Sequence, residues 1–212
     1  MKKIKMTLLG MLSVIVAVSC VRFSVKAQES SYDAVFDEEE LEALTERVEL
    51  KSRLFRARKK QNTKGLLKGT GSYPRRKGNI LVTSDAYKNL IPTGHAAIVY
   101  SSNSVVEALA NGVVKGKNNW NTSKGTCWGV TVSWASNSEE AAASDWCYRQ
   151  IGKPYNYNYL NTSTRSCFYC SQLVWAAFKD MYGVDLNTSA FGNAIHPLEL
   201  VGSGETTILY QK

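Results

Sequence analysis

Histidine is nearly absent from this chain, with two in 212 residues, His95 and His196. No second close cysteine pair accompanies Cys167-x-x-Cys170, and Cys127, Cys147 and His196 are the scattered ligands a zinc site would have to recruit. There is no internal repeat and no low-complexity tract, which excludes solenoid and fibrous architectures. Beyond the first 27 residues no run is apolar enough to span a bilayer. The excess of positive charge is likewise mostly missing from the body of the chain. The formal net charge is +8, but five of the 26 basic residues fall in residues 1–27, which hold no acidic one. The remainder carries a balance of +3, too small to argue for nucleic acid as a partner.

The N-terminus itself reads as a targeting segment. Lys2, Lys3 and Lys5 precede the apolar run MTLLGMLSVIVAV, and Val25-Lys26-Ala27 fits a small-residue cleavage site. Residues 1–27 are therefore expected to be a signal peptide and the protein to be secreted or cell-surface associated. Cys20 in AVSC loosely matches a lipoprotein box, and an uncleaved anchor is a further option.

Residues 28–77 form a charged segment. Eight acidic side chains and one arginine occupy 33–49, and eleven basic side chains with no acid occupy 51–77. Leu41, Leu44, Val48 and Phe55 recur at helical spacing, which predicts an amphipathic helix over 34–60 with its acidic half at the positive end of the dipole. GLLKGTGSYPRRKG then reads as a linker. The basic half suits an anionic wall polymer or a membrane surface; packing on the following domain, or covering its cleft as a propeptide, are the other readings.

From residue 78 onward, strands are predicted at 79–83, 95–100, 104–109, 112–115, 128–134 and 206–210, with helices at 139–152 and after Cys170. The fold class is α+β, an antiparallel sheet packed against helices, with the amphipathic helix N-terminal to it. Trp120, Trp128, Trp134 and Trp146 are expected in the core, with Trp120 also placed to line a groove.

Two distant segments carry chemistry. GHAAIVYSSNSVVEAL at 94–109 holds His95 and Glu107 on two short strands joined by a Ser-Asn-Ser turn, so a carboxylate on the second can orient an imidazole on the first. CFYCSQLVWAAF at 167–178 places Cys170 at the first turn of a helix, whose positive end favours a thiolate. Histidine, carboxylate and cysteine are the parts of thiol nucleophilic catalysis. Tyr155 in GKPYNY is an additional oxyanion donor candidate, with a turn tyrosine beside Pro154 as the plainer reading. A thioredoxin-like use of C-x-x-C leaves the histidine and glutamate segments unexplained and lacks the βαβ alternation. No metal and no cofactor are expected.

Taken in order, GNIL at 78–81, GHAAIV at 94–99, VVEALANGVV at 105–114, GKPYNY at 152–157, YCSQLVW at 169–175, IHPLEL at 195–200 and TTILY at 206–210 resemble the permuted papain-like hydrolases of the YiiX and YebB type, relatives of NlpC-type cell-wall peptidases. The resemblance covers residues 78–212 as one circularly permuted papain-like domain. It implies Cys170 as nucleophile, His95 as general base and Glu107 as the orienting group. Two positions depart from the family pattern: Gly78-Asn79-Ile80 where Gly-Asp-Ile is usual, and Gln172 where Glu is more frequent. The resemblance implies cleavage of amide bonds, in bacterial cell-wall peptides for an exported protein. A lipid or acyl-amide hydrolase, an acyltransferase, and a surface binding module with a vestigial triad are the alternatives.

Overall fold

The computed structural model describes residues 32, 34–60, 69–86 and 94–212; the expectations for residues 1–27, Cys20 included, lie outside them. Among these residues seven strands build one antiparallel sheet: β1 (Thr70–Gly71), β2 (Ile80–Thr83), β3 (His95–Ser101), β4 (Ser104–Leu109), β5 (Gly112–Lys117), β6 (Trp128–Val132) and β7 (Thr206–Gln211). Their spatial order is β1-β7-β6-β2-β3-β4-β5. The helices are α1 (Glu38–Lys60), α2 (Trp120–Ser123), α3 (Asn137–Tyr148), α4 (Cys170–Tyr182) and α5 (Glu199–Gly202).

The central strands are apolar on both faces because both faces are covered. Ile80, Val82, Ala96, Ile98, Val106 and Ala108 face a large core shared with Leu173, Val174 and Ala177 of α4 and Ala143 and Cys147 of α3. The alternate residues Leu81, Ala97, Val99 and Val105 close on Trp120, Cys127 and Tyr210. This period of two fixes the strand register, since a one-residue slip would exchange the two cores.

Helix starts and stops follow local chemistry. Ser136 accepts from the Glu139 amide while the Glu139 carboxylate accepts from the Ser136 amide, a capping box that starts α3. The stretch expected to continue this helix to Gly152 instead tightens after Tyr148, where the Gln150 amide bonds to the Cys147 carbonyl at 3.0 Å, and the Gly152 amide then joins β5 at Val113. Helix α4 stops at Gly183, whose φ of 70° is the left-handed conformation a glycine adopts at low cost.

Helix α1 is bound to the sheet domain. Asp37 accepts from the Glu39 and Glu40 amides at its start. Leu44 and Val48 are almost fully buried, each contributing about 1.5–3 kcal/mol by its removal from water. The Lys51 ammonium donates to the carbonyls of Val201, Ser203 and Thr206 at 2.6–2.7 Å. Ser52 accepts from the Trp128 indole at 3.0 Å. Within the stretch read as a linker, Thr70 and Gly71 pair with Gln211 and Tyr210 of β7. Ahead of α1, Tyr32 and Phe36 enter an aromatic cluster with Tyr159, Phe191 and His196. Trp134, expected in the core, is 56 % exposed and donates to Glu205, because β6 ends two residues earlier at Val132.

Candidate active site

The β3–β4 hairpin builds the first half of the site. Ala97 lies opposite Glu107, so His95 and Glu107 are diagonal neighbours of the same parity, within reach of each other on one side of the sheet. His95 Nε2 and Glu107 Oε2 are 2.7 Å apart. Both residues are buried, Glu107 included, although in isolation its sequence context suggests a strand residue facing water. The carboxylate has room because the neighbouring strand carries Gly116: a Cβ there would collide with Glu107 Oε1. The remaining flank is closed by Trp120, whose ring stacks on the imidazole at 5.3 Å and 25°. Trp120 is buried, so it belongs to the wall of the site. Gly116 lies one residue beyond the strand read from the sequence at 112–115 but inside β5, where a glycine lets another group approach the backbone closely.

The second half is the N-terminus of α4. Cys170 is its first residue, so the sulfur sits at the positive end of the helix dipole. Its thiol hydrogen-bonds His95. With Nε2 engaged by Glu107, the nitrogen left for the thiol is Nδ1. Burial disfavours a charged imidazole here, but the hydrogen bonds it makes to Cys170 and Glu107, and then their charges, outweigh it and raise His95 to about 9. Glu107, His95 and Cys170 thus form one hydrogen-bonded line drawn from β4, β3 and α4.

Tyr155 approaches the same centre. It bridges in parallel to Phe168, two residues before the cysteine. Burial, with Tyr159 and Cys170 as electrostatic neighbours, holds its phenol well above the ordinary range, so it is a neutral donor. Its hydroxyl leans toward that of Tyr159 without a hydrogen bond of good geometry among the described residues. Gln172 secures the start of α4. Its Oε1 accepts from the Tyr169 amide at 3.1 Å and from Asn156 Nδ2 at 3.0 Å, while Nε2 points at the carbonyls of Asn161, Thr162 and Thr164 at 3.3–3.4 Å. A glutamate could make the first two bonds but would set its charge against the three carbonyls, which gives the departure at this position a physical reason.

The other candidates lie elsewhere. Cys127, Cys147 and Cys170 are free thiols, so Cys170 is not bridged to Cys167. Burial pushes Cys127 up to about 12 and Cys147 higher still. His196 belongs to the aromatic cluster: its Nδ1 accepts from the Leu198 amide, its Nε2 meets the Tyr32 hydroxyl, and burial holds it near 3. Among the described residues no group of three or more His, Cys, Asp or Glu side chains converges to hold a metal ion.

Comparisons with known proteins bear on the fold and the family. A search of solved structures finds the metalloprotein YiiX of Escherichia coli O157:H7, with a TM-score of 0.50 and 16% identity over 65% of this chain and 97% of that one, a likeness of fold. The uncharacterized protein YycO of Bacillus subtilis strain 168 is 30% identical over 137 residues, 63% of this chain. The match spans about 55% of the length of that relative. Residues 82–199, which run from β2 through α4 to the first residue of α5, match the model of the permuted papain-like amidases, the YaeF/YiiX or C92 family. The chain belongs to the family of permuted papain-like amidases.

Proposed function

We propose that this protein is an exported cysteine amidase that cleaves amide bonds in cell-wall peptides. The observation that carries the reading is the continuous line Glu107–His95–Cys170 at the N-terminus of α4. His95 takes the proton of the Cys170 thiol. The sulfur attacks the carbonyl carbon and the C=O electron pair moves to oxygen, where the Tyr155 hydroxyl and the Cys170 amide are the donors at hand. As the C–N bond breaks, the imidazolium gives its proton to the leaving amine, and a thioester remains. Water then attacks the thioester carbon, His95 takes its proton, and the acid leaves with regeneration of the thiolate. Glu107 fixes the ring orientation and stabilises the imidazolium throughout.

Export is supported by the lysine-flanked apolar run at the N-terminus, and an exported amidase of this family meets wall peptides first. The test is iodoacetamide alkylation of Cys170 as a function of pH in the wild type and in His95→Ala. Fast alkylation well below pH 8.5 that disappears in the variant supports the ion pair. Equal, slow alkylation in both proteins sinks it. A thioester on Cys170, trapped with wall peptides and read by mass spectrometry, then tests the substrate class.

A further inference from the structure

At the end of the sheet opposite His95 lies a second cleft, unrelated to the catalytic line. In the β2–β3 register Thr83 pairs with His95 and Ile80 with Ile98, so Asn79 precedes β2 at the far end. A cleft of about 300 Å³ opens there between the C-terminal end of α1 and the segment before β2. Its lining includes Lys59, Arg75 and Arg76 and no acidic side chain.

Two buried donors in this lining have no acceptor among the described residues: Asn79 Nδ2 and Arg76 Nη1. Asn79 is only 2 % exposed. Its main chain is fully used, the carbonyl accepting from the Val99 amide at 2.8 Å and the amide donating to Arg76 at 3.2 Å, so the bare group is the side chain. Arg76 spends Nη2 on Thr131 and on the buried Glu140 carboxylate, whose Oε2 accepts no hydrogen bond of good geometry in return, and Nη1, the other arm of the fork, makes none either. Arg75 is held by the Ser102 carbonyl at 3.0 Å with its guanidinium over Tyr73. A buried donor left without an acceptor costs about 1–3 kcal/mol, and two in one cationic cleft define a place for an anion. The residue at 79 sharpens this. A carboxylate, as in the Gly-Asp-Ile form, would bring its own charge into the cleft; the amide brings a donor.

We propose that this cleft binds a phosphate group, as the ester of an anionic polymer or of a lipid headgroup. Asn79 Nδ2 and Arg76 Nη1 donate to two phosphate oxygens at the cleft floor, while Lys59 and Arg75 supply charge at its rim. Phosphate fits better than carboxylate because its oxygens diverge, so buried and rim donors can be met together. The cleft would hold the enzyme on an anionic surface while leaving the opposite end of the sheet clear for catalysis.

The test is titration of the full chain with inorganic phosphate at constant ionic strength, read by the melting temperature and by the Asn79 side-chain amide resonance. Saturable binding that chloride does not reproduce is expected, weakened at least tenfold in Asn79→Asp and several-fold in Lys59→Ala/Arg75→Ala. The double variant lies at the solvent rim and keeps the test valid if Asn79→Asp misfolds. Two further arms separate the sources: glycerol phosphate as the soluble ester, and phosphatidylcholine vesicles with and without phosphatidylglycerol. Phosphatidylglycerol-dependent sedimentation lost in Asn79→Asp assigns a lipid headgroup, and binding of glycerol phosphate without it assigns a polymer. A response that follows ionic strength alone, or is the same in both variants as in the wild type, overturns the proposal. None of these readouts depends on Cys170 chemistry.

Discussion

Replacing Glu107 by glutamine tests the electrostatics of the site directly, and the chain is well suited to the measurement because it has only two histidines. Burial holds His196 near 3, so it stays neutral across the accessible range, and any histidine resonance that titrates above pH 5 belongs to His95. The rise of His95 from 6.5 to about 9 corresponds to about 3 kcal/mol favouring the imidazolium, after the cost of burial has been met. Cys170 and Glu107 supply that preference through hydrogen bonds and charge. Glutamine preserves the shape but removes the charge, so the midpoint should fall by at least about one unit, and Cys170→Ser should lower it by a similar amount or more. The assay is an NMR titration of the imidazole Cε1–H signals in untagged protein. A raised folded value also stabilises the fold. That contribution is complete below about pH 6.5 and is lost as pH rises through 9, and it should shrink in Glu107→Gln. A wild-type midpoint near 6.5, or a Glu107→Gln midpoint equal to the wild type, would refute the hydrogen-bonded ion pair.

Gly116→Ala should reproduce the Glu107→Gln titration, because the new methyl occupies the space of Glu107 Oε1; an unchanged His95 midpoint would show that the carboxylate does not need that space. Cys127→Ala and Cys147→Ala should leave the alkylation rate below pH 8 unchanged, since burial keeps both thiols protonated, and peptide mapping of the alkylated protein checks this. Gln172→Glu should destabilise the fold by about 2 kcal/mol in urea unfolding at neutral pH, less under acid. The sign follows from the carbonyls around it, which keep the carboxyl protonated in the folded state to higher pH than the 4.3 or so of the unfolded chain. Lys51→Met should cost about 2 kcal/mol or more by the same measurement, because three carbonyls lose their ammonium donor.

Much of this architecture was written in short-range patterns. The short apolar runs AAIVY and SVVEAL, the Ser-Asn turn between them and the terminal glycine of α4 each dictate local backbone geometry, and the elements appear where those signals stand. The meeting of His95 with Glu107 was legible for the same reason, since a hairpin register is a local property. Trp120 was not legible as the ring stacked on His95, because α2 reaches β3 only through long-range packing. Trp134 misled because hydrophobicity alone does not say where a strand stops. The orphaned donors at Asn79 and Arg76 have no sequence signature, for an unsatisfied group is defined by what surrounds it in space.

The placement of the three site residues also sets an order of assembly. His95 and Glu107 sit on adjacent strands of one hairpin, so their pairing closes a short loop and can form early. Cys170 lies far along the chain, beyond β4, β5, β6 and α3, and reaches the imidazole only when α4 docks on the finished sheet. That contact closes a much longer loop and so belongs to the slow, late part of folding. The newly made chain therefore holds an idle base and an unactivated thiol until its core is complete, and the chemistry switches on only with the fold itself.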